Sequence, residues 1–283
     1  MRVRSPVGEE FGSHPSAGGF CVRDFGTHPS VGTAWHCGRV GRHGRAWRGA
    51  ELPASDWHSG SMADDELNAL LAEQIAYYRT RAVEYDSTYP LDVHADAVAR
   101  AELLTTLEGL APFGRTLELA CGTGQWTVEL ARHATTVTAV DAAPEALAIC
   151  RQRVGAAHVH LVEADLFTWR PRERYDFVFF SAWLSHVPPQ RFDAFWALVA
   201  DCLKPDGRIF VIDELPAVAA VERPAAEQPA PAVHREVAGG QAFRAVKVLY
   251  APDELRVRLD ALGWKADIRT VGWRFFSASL RRD

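Results

Sequence analysis

The chain has 283 residues, of which 48% are hydrophobic and 24% charged, a composition typical of a folded globular protein. Its formal net charge of -5 gives no basic field that would attract nucleic acid or an anionic membrane. No apolar run approaches the roughly 20 residues of a membrane-spanning helix, and the N-terminus lacks the apolar core of a secretory signal. We therefore expect no nucleic-acid partner and no membrane partner.

The five cysteines are an odd number, lie far apart and form no C-x-x-C pair. This pattern predicts free thiols in a reducing compartment, and we expect a cytoplasmic protein. The residues are Cys21, Cys37, Cys121, Cys150 and Cys202.

The first 61 residues differ in composition from the rest. They hold eleven of the 21 glycines and a short repeat, "FGSHPSAGG" from Phe11 and "FGTHPSVG" from Phe25. Without a hydrophobic period, such a segment cannot bury enough surface to offset its chain entropy. We expect residues 1–61 to be a disordered leader, or an extension upstream of a start at Met62. A metal-binding tail is the alternative, but its histidines and cysteines match no zinc spacing, and we predict no metal site.

Order is predicted to begin near Met62, with an N-terminal helical cap over residues 62–111. Asp64 or Asp65 can cap the first helix, and apolar residues then recur at helical spacing through "MADDELNALLAEQIAYY". A second helix is expected over about 95–110.

From Arg115 onward, short apolar strands alternate with amphipathic helices, which predicts a parallel sheet covered on both faces. Right-handed crossovers make such a sheet doubly wound. The expected strands are 116–120, 136–141, 159–164, 175–181 and 207–213, and the expected helices are about 124–133, 144–153 and 189–203.

The C-terminal part of the predicted catalytic domain, residues 112–283, has a different pattern. Residues 214–240 are rich in Pro and Ala and are expected to be irregular, so that 214–250 forms a flap or insert. A strand, a helix and two closely spaced strands are then expected at 242–250, 252–264, 265–273 and 274–282. The last two should pair antiparallel at one edge. The predicted fold class is α/β, a doubly wound, mostly parallel seven-stranded sheet with an antiparallel C-terminal hairpin.

Three carboxylates fall at successive predicted strand ends, where open α/β sheets bind their ligands. Glu118, Asp141 and Asp165 are separated by 23 and 24 residues, close to one strand–helix unit each. Asp141 suits the paired hydroxyls of a ribose, which a carboxylate binds by accepting two hydrogen bonds. Asp165, followed by apolar Leu166, suits the amine and the flat face of an adenine.

The segment "LELACGTGQW", residues 117–126, contains the end of the first predicted strand and the glycine turn that follows it. It lacks the Lys and Ser/Thr of a P-loop and the third glycine of a dinucleotide fingerprint. Small residues at Ala120, Gly122 and Gly124 let the backbone approach a flat, neutral ligand body. Glu118 would repel a phosphate, so this turn favours a ligand with a positive ammonium or sulfonium centre.

These segments together resemble a known family. "LELACGTGQW", "VDAAPEAL", "EADLFTW", "YDFVFFSAWLSHVP" and "LKPDGRIFVID" look like the ordered motifs of class I S-adenosylmethionine-dependent methyltransferases. The resemblance covers roughly residues 75–283 and implies a Rossmann-like fold, S-adenosyl-L-methionine as cofactor and S-adenosyl-L-homocysteine as product. The cofactor-binding residues that it implies are Tyr78, Arg81, Tyr85, Glu118, Ala120, Cys121, Gly122, Gly124, Trp126, Asp141, Ala142, Asp165, Leu166 and Ser181.

The stretch "YYRTRAVEYD" resembles the helix that many small-molecule methyltransferases fold over the cofactor, where an arginine can pair with the methionine carboxylate. Each implied role also has a purely structural explanation. Glu118 can be a mere strand-end carboxylate, Asp141 a helix cap and Asp165 a turn residue. Tyr77 and Tyr78 can be core aromatics.

The segment "SAWLSHVPP" follows the fourth predicted strand, where this fold places the transferred methyl group. His186 is a candidate general base for a hydroxyl acceptor, because a neutral imidazole suits that role near pH 7; alternatively it caps a helix or stacks on the cofactor. Trp183 is a candidate pocket wall. Arg244 and Lys247 are candidates to bind an anionic group of the substrate, or else they belong to a solvated strand face.

The sequence thus predicts an S-adenosylmethionine-dependent methyltransferase for a small molecule, with O-methylation favoured over N- or C-methylation. A nucleic-acid or protein methyltransferase is the alternative enzyme, and the negative net charge counts against it. The same motifs are also compatible with a non-catalytic partner subunit that binds S-adenosylmethionine, and the sheet with an NAD-dependent oxidoreductase. A monomer or a homodimer is expected.

Overall fold

A computed structural model describes residues 57–88 and 95–283. Most of the predicted leader, residues 1–56, lies outside the described residues. Three helices precede the sheet: α1 (Trp57–Arg81), α2 (Tyr85–Thr88) and α3 (Ala95–Glu108). Within the described ranges, no helix is both long and apolar enough to cross a membrane.

The main sheet has seven strands, as predicted, and their order is β3-β2-β1-β4-β5-β10-β9. Strands β1 to β5 are parallel, whereas β10 runs antiparallel to both β5 and β9. Their bounds are β1 (Gly114–Leu119), β2 (Ala134–Asp141), β3 (Val159–Glu163), β4 (Tyr175–Ser181), β5 (Leu203–Glu214), β9 (Trp264–Val271) and β10 (Phe275–Arg282). The strand order reverses between β1 and β4, which makes the carboxyl ends of these two strands the expected ligand position.

Helices cover both faces of this sheet, as the period-2 alternation of its strands requires. On β4, Phe177 and Phe179 pack with α3, α4 (Thr127–Ala131) and α5 (Pro144–Val154). Val178 and Phe180 point to the other face and pack with α6 (Phe192–Cys202) and α7 (Pro252–Ala261). All four β4 side chains are fully buried, so strand β4 lies at the centre of the core.

Residues 214–240 are not irregular, which corrects the sequence prediction. After a 3-10 helix at Pro216–Val221 they contribute to a second, antiparallel sheet in the order β6-β7-β8. The strands are β6 (Pro224–Ala226), β7 (Ala232–Glu236) and β8 (Ala242–Val246). Small residues such as Ala230 and Ala232 pack against Leu67 and Leu70 of α1. This long-range packing orders a segment whose composition, taken alone, indicates a loop.

Candidate active site

The main cleft opens at the carboxyl ends of β1, β2 and β4. Leu119 lies opposite both Val140 and Phe180 in the sheet register, which brings the next residues of each strand together. The cleft holds about 830 Å³ including its mouth, and α1 covers one side of it. The predicted residues that line it are Tyr78, Tyr85, Ala120, Gly122, Asp141, Ala142, Asp165, Leu166, Ser181, Trp183 and His186.

A second cavity adjoins the main cleft and shares Tyr85, Gly122 and Ser181 with it. Its lining includes predicted Glu118, Cys121 and Trp126, and also Arg100 of α3, which the sequence analysis missed. The Arg100 guanidinium lies 4.8 Å from the centre of the Trp126 ring. The carboxyl group of Glu118 and the guanidinium cation of Arg100 therefore line the same cavity.

Glu118 is only 2% exposed, and its Oε2 atom has no hydrogen-bond partner among the described residues. Burial disfavours the charged form, and although a hydrogen bond with Thr127 lowers the pKa of Glu118, that pKa lies well above its ordinary value, with Cys150 and Asp141 adding to the rise. A buried carboxyl group without a partner is costly unless it is neutral or meets a cation. The geometry thus provides an acceptor for a positively charged ligand group.

Asp141 pins the glycine turn to the end of β2. Its two carboxylate oxygens accept hydrogen bonds from the amides of Gly122, at 2.7 Å, and Ala143, at 2.8 Å. Burial raises the pKa of Asp141, while these amides lower it and so offset part of the rise. Asp141 therefore has a structural role in the turn and also lines the main cleft.

The glycine turn is left-handed at three positions. The φ angles are +54° at Ala120, +53° at Gly122 and +83° at Gly124. A side chain at Gly124 would place its Cβ 2.6 Å from Cys150 Sγ, so only glycine at this position lets the turn pack closely on α5. Gly124 faces α5, and it is not among the residues that line the main cleft or the second cavity.

Asp165 lies in the turn after β3. Its Oδ1 atom accepts a hydrogen bond from the Phe167 amide at 2.9 Å, which makes it a turn residue as well as a lining residue. Phe167 and Trp183 lie 5.7 Å apart between ring centres, and Leu166 is buried. This end of the main cleft is therefore apolar and aromatic around one carboxylate.

His186 has a partner at each ring nitrogen. Nδ1 lies 2.7 Å from the Val246 carbonyl oxygen, and Nε2 lies 2.8 Å from the Tyr78 hydroxyl. Because a carbonyl only accepts, Nδ1 carries the proton and Nε2 accepts from Tyr78. Burial and the charge of Lys247 lower the pKa of His186 to about 3. The imidazole is therefore neutral near pH 7, and both of its nitrogens are already hydrogen-bonded, so neither is free to bind a methyl-accepting substrate.

A third cavity, the annex, lies between α1, the end of β5 and the second sheet, and it shares Tyr78, Tyr85 and His186 with the main cleft. Five cations line it together with four carboxylates. These residues are Arg81, Arg223, Arg235, Lys247, Arg274, Glu84, Glu214, Glu222 and Glu236.

The charges of the annex are held by ion pairs. Lys247 Nζ contacts Glu214, which also accepts from Arg274 at 2.7 Å, and Glu222 accepts from Arg235 at 2.9 Å. Burial alone would raise the pKa of Glu214, but Lys247 and Arg274 lower it to about 2. Glu214 is therefore ionised near pH 7.

Two predicted residues lie elsewhere than expected. The Arg244 side chain is paired with Glu73 of α1 at 2.8 Å and lines none of these three cavities. Arg81 lines the annex rather than the second cavity, and it donates to the Tyr77 hydroxyl at 2.7 Å.

The sequence analysis missed Gln74, Arg100 and Arg235. A signal existed for Gln74, since a polar residue in the apolar stripe of α1 is unusual; its side chain donates to the His186 carbonyl and accepts from Val246. Arg235 was missed because its segment was assigned no structure.

Comparison with known proteins places this site in a family. A family model described as a methyltransferase domain matches residues 116–207. A solved DhpI-SAH complex is 38% identical, with a TM-score of 0.66, and the match covers 75% of this chain and 97% of that one. The chain belongs to the class I S-adenosylmethionine-dependent methyltransferases.

The matches between the methyltransferase and its curated relatives cover a smaller share of each protein. Thiocyanate methyltransferase 1 of Arabidopsis thaliana is 31% identical over 105 residues, which is 36% of this chain and 46% of that protein. Nodulation protein S of Rhizobium tropici is 32% identical over 136 residues, which is 45% of this chain and 57% of that protein. The matches thus span about half the length of these two relatives.

Proposed function

We propose that this methyltransferase binds S-adenosylmethionine across the main cleft and the second cavity, and transfers its methyl group to a small molecule in the annex. The observation that carries the proposal is the second cavity, which is lined by a buried acid, Glu118, whose Oε2 atom has no partner among the described residues, and by a cation, Arg100. This pair complements the ammonium and carboxylate of an amino-acid end, and a nicotinamide cofactor has no such group. The similar DhpI structures are complexes with SAM and SAH.

In this proposal, the residues of the two cavities bind different parts of the cofactor. Glu118 accepts hydrogen bonds from the methionine ammonium, and Arg100 donates to the methionine carboxylate. Asp141 accepts from the ribose hydroxyls while its amide contacts keep the glycine turn in place. Asp165 and Leu166 hold the adenine, with Trp183 as an aromatic wall. Arg100 takes the role that the sequence analysis gave to Arg81.

S-adenosylmethionine supplies an electrophilic methyl group, so the chain's own residues mainly align the acceptor and exclude water. Tyr78 and His186 line both the main cleft and the annex, which makes them the boundary that a methyl group would cross. Since the Tyr78 hydroxyl donates to His186, its oxygen keeps a lone pair for contact with the reacting groups. His186 orients Tyr78 in this proposal, instead of acting as the base itself.

The annex favours an acceptor with an anionic group. Five cations line the annex together with four carboxylates, Glu84, Glu214, Glu222 and Glu236, which leaves an excess of one positive charge. Two residues at this boundary are poorly suited to remove a proton: His186, whose pKa is lowered to about 3 and whose Nε2 already accepts from Tyr78, and Tyr78 itself, whose pKa burial raises well above its ordinary value. An oxyanion needs no base, and we therefore propose O-methylation of a small carboxylate, phosphate or phosphonate.

A screen for labelled methyl transfer tests this proposal. Small oxyanions are compared with their neutral esters or amides, and the anions are expected to be the substrates. Arg235→Met should raise the KM of the anionic acceptor about tenfold or more, since a charge-assisted pair is lost. Arg269→Met is the matched control, because the Arg269 side chain is 72% exposed and, within the described ranges, pairs only with Asp267. Methylation of neutral acceptors alone, or of nucleic acid or protein, would contradict the proposed acceptor class.

A further inference from the structure

One carboxylate outside the predicted site joins three segments around the glycine turn. Asp86 of α2 accepts hydrogen bonds from Thr123 Oγ1 at 2.8 Å and from Gln125 Nε2 at 2.7 Å, and it also contacts Arg153. Arg153, in the last turn of α5, donates in addition to the Thr123 carbonyl at 2.8 Å. These four residues are the Asp86 cluster.

The Asp86 cluster acts on the backbone that lines the cofactor-binding cavities. Thr123 lies between two left-handed glycines, is 2% exposed and lines both the main cleft and the second cavity. The Gly122 amide is held by its hydrogen bond to Asp141, whereas a side chain at Gly122 would have nothing within 4 Å. The hydrogen bonds from Thr123 and Gln125 to Asp86 hold the turn at two further positions and so restrict a backbone that its glycines make conformationally permissive.

Asp86 is charged when it makes these contacts. Burial alone would raise the pKa of Asp86, but hydrogen bonds from Gln125, Arg153 and Thr123 lower it below its ordinary value. Bonds to an ionised acceptor are stronger than those between neutral groups. The neighbouring residue Tyr85 lines the main cleft, so the cluster also fixes α2 against the site.

We propose that Asp86 is a positioning residue for the cofactor: through Thr123 and Gln125 it holds the glycine turn in its binding conformation. Asp86 lines neither the main cleft nor the second cavity, so it acts without touching the cofactor. This inference rests on the proposed function, because it concerns the affinity of the same site for S-adenosylmethionine.

The chain offers a matched control for this role. Arg79 of α1 pairs with Glu145 of α5 at 2.9 Å, and their side chains are 49% and 42% exposed. Like the Asp86 cluster, this pair joins the N-terminal part of the chain to α5, through α1 instead of α2, but it includes no residue of the glycine turn. If these contacts only attach the helices to α5, substitutions of Arg79 and of Asp86 should weaken cofactor binding alike. If Asp86 positions the glycine turn, only substitutions of Asp86 should do so.

The test measures S-adenosylhomocysteine binding by calorimetry for the full chain, Asp86→Ala, Asp86→Asn and Arg79→Ala. We expect Asp86→Ala to raise the dissociation constant about tenfold or more, and Asp86→Asn, which keeps one acceptor oxygen, to raise it less. The KM for S-adenosylmethionine should rise in parallel, with kcat changed by less than about twofold, because the acceptor side is intact. Arg79→Ala should stay within about twofold of the unchanged protein in all three quantities.

Hydrogen exchange separates positioning from general destabilisation. In both Asp86 variants, residues 121–126 should lose amide protection while the strands of the main sheet keep theirs. Unchanged affinity in both Asp86 variants, an equal loss in Arg79→Ala, or a loss in kcat alone would overturn the positioning role. If the unchanged protein does not bind S-adenosylhomocysteine, the proposed function fails and this inference fails with it.

Discussion

Glu118→Gln isolates the charge that the second cavity offers to a ligand. In the free protein, burial raises the pKa of Glu118 and so favours its neutral form, and an amide of the same shape should change the unfolding free energy by less than about 1 kcal/mol. With the cofactor bound, the variant loses a charge-assisted hydrogen bond to the ammonium, worth about 1.5–3 kcal/mol. The dissociation constant of S-adenosylhomocysteine should therefore rise about 10- to 150-fold.

Two controls make this prediction specific. 5′-Methylthioadenosine lacks the amino-acid end, so its affinity should be the same in Glu118→Gln and in the unchanged protein. Glu163→Gln alters an exposed acid at the end of β3 that lines neither the main cleft nor the second cavity, and it should leave the binding of both ligands unaffected. The reasoning is refuted if Glu118→Gln binds both ligands normally, or weakens both ligands equally.

The same residue predicts a dependence on pH. The pKa of Glu118 lies well above its ordinary value of 4.5, so the unfolded chain loses this proton first as the pH rises. The free energy of unfolding should then fall above that value until the native pKa is reached, and Glu118→Gln should remove this part of the decline. Denaturant unfolding at several pH values checks the difference between the two proteins. Parallel curves would show that Glu118 is not held neutral.

Three further predictions test other parts of the site. The pKa of His186 is lowered to about 3, so the unfolded chain takes up this proton first as the pH falls below about 6.5. The free energy of unfolding should then fall by up to about 1.4 kcal/mol per pH unit, and His186→Gln should remove this loss. Denaturation curves of the two proteins that stay parallel would contradict this. Gly124→Ala meets Cys150 Sγ at 2.6 Å, whereas Gly240→Ala meets nothing within 4 Å at a similar positive φ, so calorimetry should find a lower thermal midpoint for the first; equal midpoints would contradict the packing argument. Arg100→Met should weaken S-adenosylhomocysteine about tenfold in a titration while leaving 5′-methylthioadenosine unaffected, and equal weakening of both would exclude the carboxylate contact.

The main sheet could be predicted because its signals are local. Fully apolar strands such as β4 are recognisable from short windows, and the spacing of Glu118, Asp141 and Asp165 follows from the length of one strand–helix unit. Parallel strands then bring those acids to one edge without any knowledge of side-chain contacts. The same local signals predicted the antiparallel β9–β10 hairpin.

The second sheet and the roles of individual side chains depend on distant contacts. Strand β7 has small residues with little hydrophobic contrast, and only packing against α1 selects a strand there. His186 was predicted as a base from its position, but Val246, sixty residues away, fixes its tautomer. Arg81 and Arg100 both lie on N-terminal helices. The packing of these helices decides which arginine lines the cavity of Glu118, and the spacing of residues in the sequence does not reveal that packing.

Calorimetric titration of the purified protein with S-adenosylhomocysteine, and separately with NAD, tests most directly whether Glu118, Arg100, Asp141 and Asp165 form one cofactor site. We predict saturable binding of S-adenosylhomocysteine to one site per chain, and no binding of NAD. Binding of NAD alone, or of neither compound, would contradict the proposed function.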